Sequence, residues 1–318
     1  MRHDDEILAV RAAELYFEEE KTQAEIAQIL TLTRWKVGRL LSEARAQGIV
    51  RIEIIHPQAR RLSVERNLKD RFGLLDAVVV PSNANESEGE IRLRVAGAAA
   101  EYLTLLRPPI KVLGVSWGRT MHDISQLLKT GWGRDVKTVQ INGGVSVNRR
   151  SSNAAATAVT IASKASGSAT LLPSPAILDD ESIKEAIVSD RTVAAVLEEG
   201  KSADTFVYSA GGVDASSVLV ESGYLANRDI ESLVRRGAVA DVIGRFIDAD
   251  GNIVDPGLDR RTVGLEIEDL RRGERTIAVI AGPSKNDVCR AVVGSGLCRV
   301  IITDEITAKH LLGNSDES

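Results

Sequence analysis

The 318-residue chain has few of the residues that build metal sites, disulfide scaffolds or aromatic cores. It contains only two cysteines, Cys289 and Cys298, and four histidines, none with the spacing of a metal site. Aromatic residues make up 3% of the chain, so its 43% hydrophobic content is mainly aliphatic. No apolar run approaches the roughly 18 residues of a membrane span. We therefore expect no metal, no cofactor and no membrane association, and we expect a cytoplasmic protein with reduced, buried cysteines.

Residues 22–41, TQAEIAQILTLTRWKVGRLL, have the pattern of two short amphipathic helices joined by a tight turn. In the second helix the apolar residues recur at i, i+3, i+4 and i+7, which is the spacing of one buried stripe. Thr33 is placed to cap that helix through its hydroxyl. The residues expected to face inward are Ile26, Ile29 and Leu30 in the first helix and Val37, Leu40, Leu41 and Ala44 in the second.

Charge separates this segment from its surroundings. Residues 4–25 contain two basic and eight acidic residues, a net charge of −6, whereas residues 31–62 contain seven basic and two acidic residues, a net charge of +5. A local basic element on a chain of net charge −5 is typical of a protein that binds DNA through one face. The alternative is an ordinary helical hairpin with a solvated charged face. The residues predicted to contact DNA are Thr22, Gln23, Thr33, Arg34, Trp35, Lys36 and Arg39.

Two domains are expected from the length and from the change in pattern along the chain. After the second helix, Val50, Ile52 and Ile54 alternate as in a strand, and Pro57 ends that element. We place the boundary there, with one domain at residues 1–56 and another at residues 57–318. Residues 61–72 are predicted to form a helix that follows the boundary.

The second domain has the alternating β and α pattern of an α/β protein with a largely parallel sheet covered on both faces. Long helices are predicted at residues 91–106, 120–128 and 154–165, and a polar loop at residues 82–89. The predicted strands are residues 77–80, 112–115, 136–141, 169–172, 205–209, 239–243, 276–281 and 300–303.

Four glycine-rich loops follow predicted strands, and in an open α/β sheet the ligand site lies at the carboxyl ends of the strands. The loop at residues 114–120, GVSWGRT, leads into a helix and can bind an anion through backbone N–H groups. Lys285 can bind a phosphate, and Asp241, at or just before the start of its strand, can accept hydrogen bonds from sugar hydroxyls. Each glycine pair alone is better explained by a plain tight turn, but four such loops at corresponding strand ends favour a shared pocket. The predicted ligand-binding residues are Ser116, Gly118, Arg119, Thr120, Asn142, Gly143, Gly144, Gly211, Gly212, Asp241 and Lys285.

Residues 114–118 also match the G-x-S-x-G pattern of a hydrolase nucleophile. Only His122 and His310 follow this serine, and His310 lies in a helical pattern, so a catalytic triad is not expected. We predict no catalytic residues, although a sugar-phosphate isomerase or deaminase with a DNA-binding appendage is kept as an alternative. A scaffold without a ligand is disfavoured by the clustered glycine loops.

Nearly the whole chain, from about residue 6 to residue 312, resembles the SorC family, also called SorC/DeoR, of bacterial sugar-responsive transcriptional regulators. The resemblance is carried by TQAEIAQIL, KVGRLLSEARAQGIVRIEI, LGVSWGRT, QINGG, LLPSPAI, AGGVD, ADVIGRFIDADGNIVD and AGPSKNDVCRAVVGSGLCRVIITDEITA. It implies a small N-terminal helix-turn-helix domain followed by a Rossmann-like α/β effector domain, similar in fold to ribose-5-phosphate isomerase and glucosamine-6-phosphate deaminase. It also implies a homotetramer on a palindromic operator, a phosphorylated sugar or polyol as effector, and ligand positions at Ser116, Gly118, Thr120, Asn142, Asp241 and Lys285.

The chain departs from the family pattern at four places. The turn between the DNA-binding helices lacks the usual glycine and reads Leu-Thr-Leu-Thr, and Trp35 is larger than the residues common at its position. Asn142 stands where some family members have a basic residue that holds a second phosphate or forms a Schiff base, so we expect a noncovalent ligand with one phosphate. Pro283 removes a backbone donor from the last loop.

Overall fold

The computed structural model describes residues 3–50, 60–144 and 154–313, and the chain divides into two compact units, Met1–Pro57 and Gln58–Ser318. The strand predicted from the alternation at Ile52 and Ile54 and the boundary predicted at residue 56 lie outside the described residues.

Over residues 3–50, the first unit contains three helices, α1 (His3–Phe17), α2 (Gln23–Ile29) and α3 (Arg34–Ala46). The prediction for α3 is confirmed, because its four stripe residues are buried and the Thr33 hydroxyl accepts a hydrogen bond from the Lys36 N–H at 3.2 Å. The prediction for α2 is correct for the buried Ile26 but wrong for Ile29, which is 52% exposed. The last residue of a seven-residue helix points away from the narrow seam that α2 buries against its neighbours.

The turn between α2 and α3 obtains its geometry without the glycine that is usual there. Thr31 adopts a left-handed conformation with φ of +53°. A β-branched residue rarely occupies this region, because its side chain crowds the backbone. The Leu32 N–H donates to the Ala27 oxygen at 2.8 Å, and Thr33 caps the following helix, so the chain is fixed on the C-terminal side of Thr31.

The described part of the second unit, residues 60–144 and 154–313, contains ten strands in two sheets. A seven-stranded sheet has the order β1-β10-β9-β5-β2-β3-β4 with every neighbouring pair parallel, and a three-stranded antiparallel sheet has the order β6-β7-β8. The strands are β1 (Asp76–Val80), β2 (Val112–Val115), β3 (Lys137–Gln140), β4 (Ala169–Thr170), β5 (Thr205–Tyr208), β6 (Ala210–Gly211), β7 (Ala240–Val242), β8 (Arg245–Ile247), β9 (Thr276–Val279) and β10 (Val300–Asp304).

Helices cover both faces of the parallel sheet. Along β1, Ala77 and Val79 pack in one core cluster and Val78 and Val80 in another, so successive side chains are buried on opposite faces. The helices of this unit are α4 (Leu62–Phe72), α5 (Glu88–Leu105), α6 (Arg119–Leu127), α7 (Ala154–Ser163), α8 (Glu181–Ser189), α9 (Arg191–Lys201), α10 (Val218–Glu221), α11 (Asn227–Arg235), α12 (Pro256–Arg261), α13 (Ile267–Arg272), α14 (Asn286–Gly294) and α15 (Glu305–Leu311).

The predicted α/β class with a parallel sheet is confirmed, but one strand was assigned to the wrong kind of sheet. The strand predicted at residues 239–243 is β7, and it belongs to the antiparallel sheet. Asp241 lies in the middle of this strand rather than at its start. The small sheet packs with α10 to α12 around a third core cluster, which includes Trp117, Leu219 and Phe246.

Candidate functional site

The outward face of α3 carries most of the residues predicted to contact DNA. Trp35 is 73% exposed, and the Arg39 guanidinium lies over its ring at 5.5 Å from the centroid. Arg34 is also exposed, whereas Gln23 and Lys36 are partly buried. The hydroxyls of Thr22 and Thr33 accept hydrogen bonds from the backbone N–H groups of Glu25 and Lys36, so both threonines act as helix caps. The helix thus presents cations around one exposed indole.

A cavity of about 210 Å³ lies in the second unit, where β9, β5, β2 and β3 end. These four strands are neighbours in the sheet, so the loops that follow them meet at one edge. The structure brings most of the predicted ligand-binding residues into the lining of this cavity. They are Ser116, Gly118, Arg119, Thr120, Asn142, Gly211, Gly212, Asp241 and Lys285.

The N-terminus of α6 opens onto the cavity. Gly118 precedes the helix with φ of +131°, a conformation essentially restricted to glycine, and it provides no side-chain cap. The first N–H groups of α6 therefore remain available to an anion, with the hydroxyls of Ser116 and Thr120 buried beside them. Arg119, the first residue of the helix, lines the same wall and donates to the Ser216 carbonyl oxygen at 3.4 Å.

Lys285 supplies a partly buried cation to the cavity. Its Nζ donates a hydrogen bond to the carbonyl oxygen of Ala210 at 2.7 Å. Burial and the positive charge of Arg119 lower the pKa of Lys285 to about 8, while Asp241 acts in the opposite direction. An anion bound in this cavity would favour the charged ammonium form and so raise the pKa of Lys285.

Asp241 supplies a buried carboxyl group, whose charge when ionised is opposite to that of Lys285. Its Oδ1 accepts a hydrogen bond from the Gly244 N–H at 2.8 Å, and its side chain is 8% exposed. Burial raises the pKa of Asp241 to about 6, although the Gly244 N–H and Lys285 lower it. The carboxylate is held on a tight hairpin in which Ile243, with φ of +52°, also lines the cavity. A strained β-branched residue next to a buried carboxylate is typical of a site built for binding.

Asn142 offers an unused acceptor to the cavity. Its side chain is 2% exposed, its Oδ1 has no hydrogen-bond partner among the described residues, and its backbone oxygen accepts from Gln140 Nε2 at 2.7 Å. A buried polar atom without a partner is costly unless a ligand satisfies it. A ligand hydroxyl could donate to this oxygen.

Gly143 and Gly144 were predicted to bind the ligand, but among the described residues they do not line the cavity. They lie behind it, where the Gly144 N–H donates to the Ser174 oxygen at 2.7 Å and the Gly143 carbonyl accepts from Trp117 Nε1 at 2.8 Å. Tyr224 also donates through its hydroxyl to the Gly144 oxygen at 3.0 Å. These glycines shape the wall by close backbone packing.

Glu88 and Arg92 line the cavity although sequence reasoning did not select them. Both lie on α5, which begins at Glu88 and not at residue 91. Ser87 and Glu90 form a capping box there, and the S-x-x-E pattern in the sequence is the signal that would have located this helix start. Glu88 accepts hydrogen bonds from the N–H and hydroxyl of Ser284 at 3.0 and 2.9 Å, so it fixes the loop that carries Lys285.

The buried charge on Asp241 leads to a prediction about stability. Between about pH 4 and pH 6, Asp241 is protonated in the folded protein but ionised in the unfolded chain. The contribution of this group to the stability of the folded protein is therefore present below about pH 4 and is lost as the pH rises to about 6. Asp241→Asn removes the charge and keeps an oxygen for the Gly244 N–H. We expect it to stabilise the fold above pH 6 by about 1–3 kcal/mol and to have little effect near pH 4.

Thermal unfolding followed by circular dichroism at pH 4, 5, 6 and 7 measures this difference. The exposed Asp214→Asn, which also lines the cavity, is the matched control and should change stability by no more than about 0.5 kcal/mol. A Tm for Asp241→Asn that stays below wild type at pH 7 would contradict the prediction.

The G-x-S-x-G pattern at residues 114–118 is not accompanied by a histidine in the described lining of the cavity. The Ser116 hydroxyl donates a hydrogen bond to the Trp117 oxygen at 3.4 Å. Over the described residues, we find no group of three or more His, Cys, Asp or Glu arranged to hold a metal ion. Within the same ranges, every helix is too short or too polar to cross a membrane.

Comparisons with known proteins show that this chain is similar to bacterial transcriptional regulators. Residues 56–313 match the family described as "Putative sugar-binding domain". The chain is 32% identical to the deoxyribonucleoside regulator of Bacillus subtilis over 99% of this chain and 100% of the relative, and 31% identical to the erythritol catabolism regulatory protein EryD of Brucella abortus over 98% of each. The full-length sorbitol operon regulator SorC from Klebsiella pneumoniae aligns with a TM-score of 0.72 and 28% identity, over 97% of this chain and 99% of that one.

Proposed function

The chain belongs to the SorC/DeoR family of transcriptional regulators, and we propose that it controls a carbohydrate or polyol catabolic operon through operator DNA, with an affinity set by a phosphorylated sugar or polyol. It is a regulator and not an enzyme, as its relatives are named regulators of deoxyribonucleoside, erythritol and sorbitol systems. The observation that carries the proposal is the convergence of the α6 N-terminus, Lys285, Asp241 and Asn142 in one small cavity.

The phosphate end of the effector is assigned to the wall formed by α6 and Lys285. Backbone N–H groups at a helix N-terminus, buried hydroxyls and a lysine are together a typical phosphate site. Arg119 and Arg92 add positive charge nearby, and both lower the pKa of Lys285 through their charge. Asn142 adds neither a cation nor an amine nucleophile, so the proposed ligand carries one phosphate and binds noncovalently.

The sugar end of the effector is assigned to Asp241 and Asn142. A carboxylate and an unpartnered amide oxygen both accept hydrogen bonds from hydroxyl groups. The cavity volume of about 210 Å³ is below the roughly 300–1,000 Å³ of sites for drug-sized ligands, which suits a single sugar or polyol unit.

The DNA-binding assignment rests on α3 and on the regulator family. Its exposed N-terminal half carries Arg34, Trp35 and Arg39, the part of a recognition helix that reaches base edges. We further propose a cytoplasmic homotetramer on a palindromic operator, with residues 1–56 as the DNA-binding domain and residues 57–318 as the effector-binding and oligomerisation domain. To regulate, the effector must bind one quaternary arrangement better than another, because equal affinity would shift nothing.

A thermal-shift screen over phosphorylated sugars and polyols tests the effector assignment. Each compound is compared with its unphosphorylated form and with inorganic phosphate alone. We expect a hit that needs both the phosphate and the hydroxyl groups, and that changes operator affinity by about 5- to 150-fold. A flat screen, or a shift with inorganic phosphate as large as with any sugar phosphate, would contradict the assignment.

Lys36→Ala tests the DNA assignment. If Lys36 contacts a phosphate, the variant should bind all duplexes more weakly and the slope of log affinity against log salt should fall by about one. Lys21→Ala makes the same charge change within the acidic segment and should leave the slope unchanged. An unchanged affinity and slope in the Lys36 variant would reject this role.

A further inference from the structure

The outward face of α3 carries an indole ring with no protein core behind it. Trp35 is 73% exposed, whereas the other two tryptophans, Trp117 and Trp132, are 7% and 4% exposed. A partner that covered this ring would bury a large apolar surface, which is favourable. Trp35 is the second residue of α3, so it lies at the N-terminal end of the helix, where the DNA contact is proposed.

The indole ring is held by a column of side chains along the helix. The Arg39 guanidinium lies 5.5 Å from the ring centroid, and Arg39 Nε lies 3.4 Å from Glu43 Oε1. The spacing of four residues places the three side chains above one another on one face. Arg39 is therefore partly neutralised and oriented, and the ring is presented in an ordered position.

Apart from Arg34 and Arg39, this face offers few side-chain hydrogen-bond donors with which to read bases. Gly38 has no side chain, and the Ser42 hydroxyl donates to the Gly38 carbonyl oxygen at 3.0 Å, within the helix itself. The surface beside Trp35 is thus formed by small residues, and the Ser42 hydroxyl already donates its hydrogen bond within the helix. Beside it lies the exposed apolar ring of Trp35, flanked in sequence by the cations Arg34 and Lys36.

These contacts point to an apolar group on the partner. The 5-methyl group of thymine is the apolar feature that a base pair displays in the major groove, and the flanking cations match the phosphates on either side. We propose that Trp35 reads a thymine in each operator half-site through contact between its indole ring and the 5-methyl group. This inference rests on the proposed DNA-binding function.

Replacement of thymine by uracil tests the contact, because it removes only the methyl group. The full-length protein is used to select a preferred duplex from a random pool, and each dT is then replaced by dU. We expect one dT in each half-site at which dU weakens wild-type binding by about fourfold per methyl. In Trp35→Ala that penalty should disappear, whereas Trp35→Phe should keep part of it.

Two controls separate this role from folding and from general DNA affinity. Trp35→Ala should retain the wild-type Tm, because the side chain is exposed, and it should retain the salt dependence of binding. Arg34→Ala should bind more weakly and keep the full dU penalty. The duplex-induced change in tryptophan emission should be lost in Trp35→Ala, since the other two tryptophans are buried.

The proposal is overturned if no dT in the selected duplex is sensitive to dU, or if Trp35→Ala keeps the wild-type penalty. If the wild-type protein selects no duplex over random DNA, the proposed DNA-binding function fails, and this inference fails with it.

Discussion

Lys285→Met should weaken binding of a phosphorylated effector by about 30- to 150-fold while the protein remains folded. Lys285 is the lysine that lines the cavity, and a hydrogen bond to a charged group contributes about 2–3 kcal/mol. Methionine keeps most of the length and volume of the side chain. Loss of a cation whose pKa burial and Arg119 already lower should not destabilise the fold severely.

Isothermal titration of the best compound from the screen measures the effect, and Lys129→Met, an exposed lysine on the protein surface, is the charge-matched control. The pH dependence gives a second readout. Because the pKa of Lys285 is about 8, affinity for a phosphate dianion should fall as the pH rises above 8, and binding near pH 8 should take up protons. Lys285→Met should lose this pH dependence. Equal affinities of variant and wild type would show that the phosphate binds elsewhere.

Gly143→Ala should destabilise the second unit by about 2–4 kcal/mol, which corresponds to a decrease in Tm of about 5–15 °C. A β-carbon at this position would lie 2.3 Å from the Pro175 oxygen and 2.6 Å from the Ala176 Cα. Both are backbone atoms, so no side-chain rotation relieves the overlap. The Gly143 N–H donates to the Val263 oxygen at 2.9 Å, and its carbonyl accepts from Trp117, so the segment cannot shift without breaking hydrogen bonds.

Gly97→Ala is the matched control for this substitution, because it adds the same methyl group to the same kind of residue. Gly97 lies within α5, and outside the adjacent residues and the backbone of its own helix no heavy atom of the described residues lies within 4 Å of the added carbon. Alanine has the higher helix propensity, so this variant should be stabilised by about 0.5–1 kcal/mol. Thermal unfolding of both variants in one buffer measures the decrease in Tm expected for Gly143→Ala and the increase expected for Gly97→Ala. A Gly143→Ala protein as stable as wild type would mean that the loop does not pack against residues 174–176.

Much of the α/β unit could be predicted from local sequence, because each buried strand is short, aliphatic and bounded by turn residues. The strands at residues 112–115 and 300–303 and the helix at residues 154–165 were all placed within two or three residues of their observed bounds. The four glycine-rich loops were also recognised, since loops after parallel strands lie at one edge of the sheet. That these loops share one cavity depends on the adjacency of β9, β5, β2 and β3, which is a property of the sheet order.

The hairpin that carries Asp241 could not be predicted in this way. A two-residue turn with positive φ at both positions normally contains Asn, Asp or Gly, but this one is formed by Ile243 and Gly244, with φ of +52° and +90°. The apolar run ADVIG therefore resembled one more strand of the parallel sheet. Burial of Ile243, the hydrogen bond from the Gly244 N–H to Asp241 and the antiparallel pairing of β7 with β8 hold the strained turn.

The sequence by itself determined the helix-turn-helix pattern, the α/β class and the family, because hydrophobic period, capping residues and charge act over a few neighbouring residues. The tertiary structure decided which polar groups share one environment. Glu88 and Arg92 come from a helix remote in sequence, and the pKa values of Asp241 and Lys285 depend on burial and on charges brought together by folding. Desolvation and charge proximity depend on which groups lie close together in the folded protein, and the order of residues along the chain does not specify this.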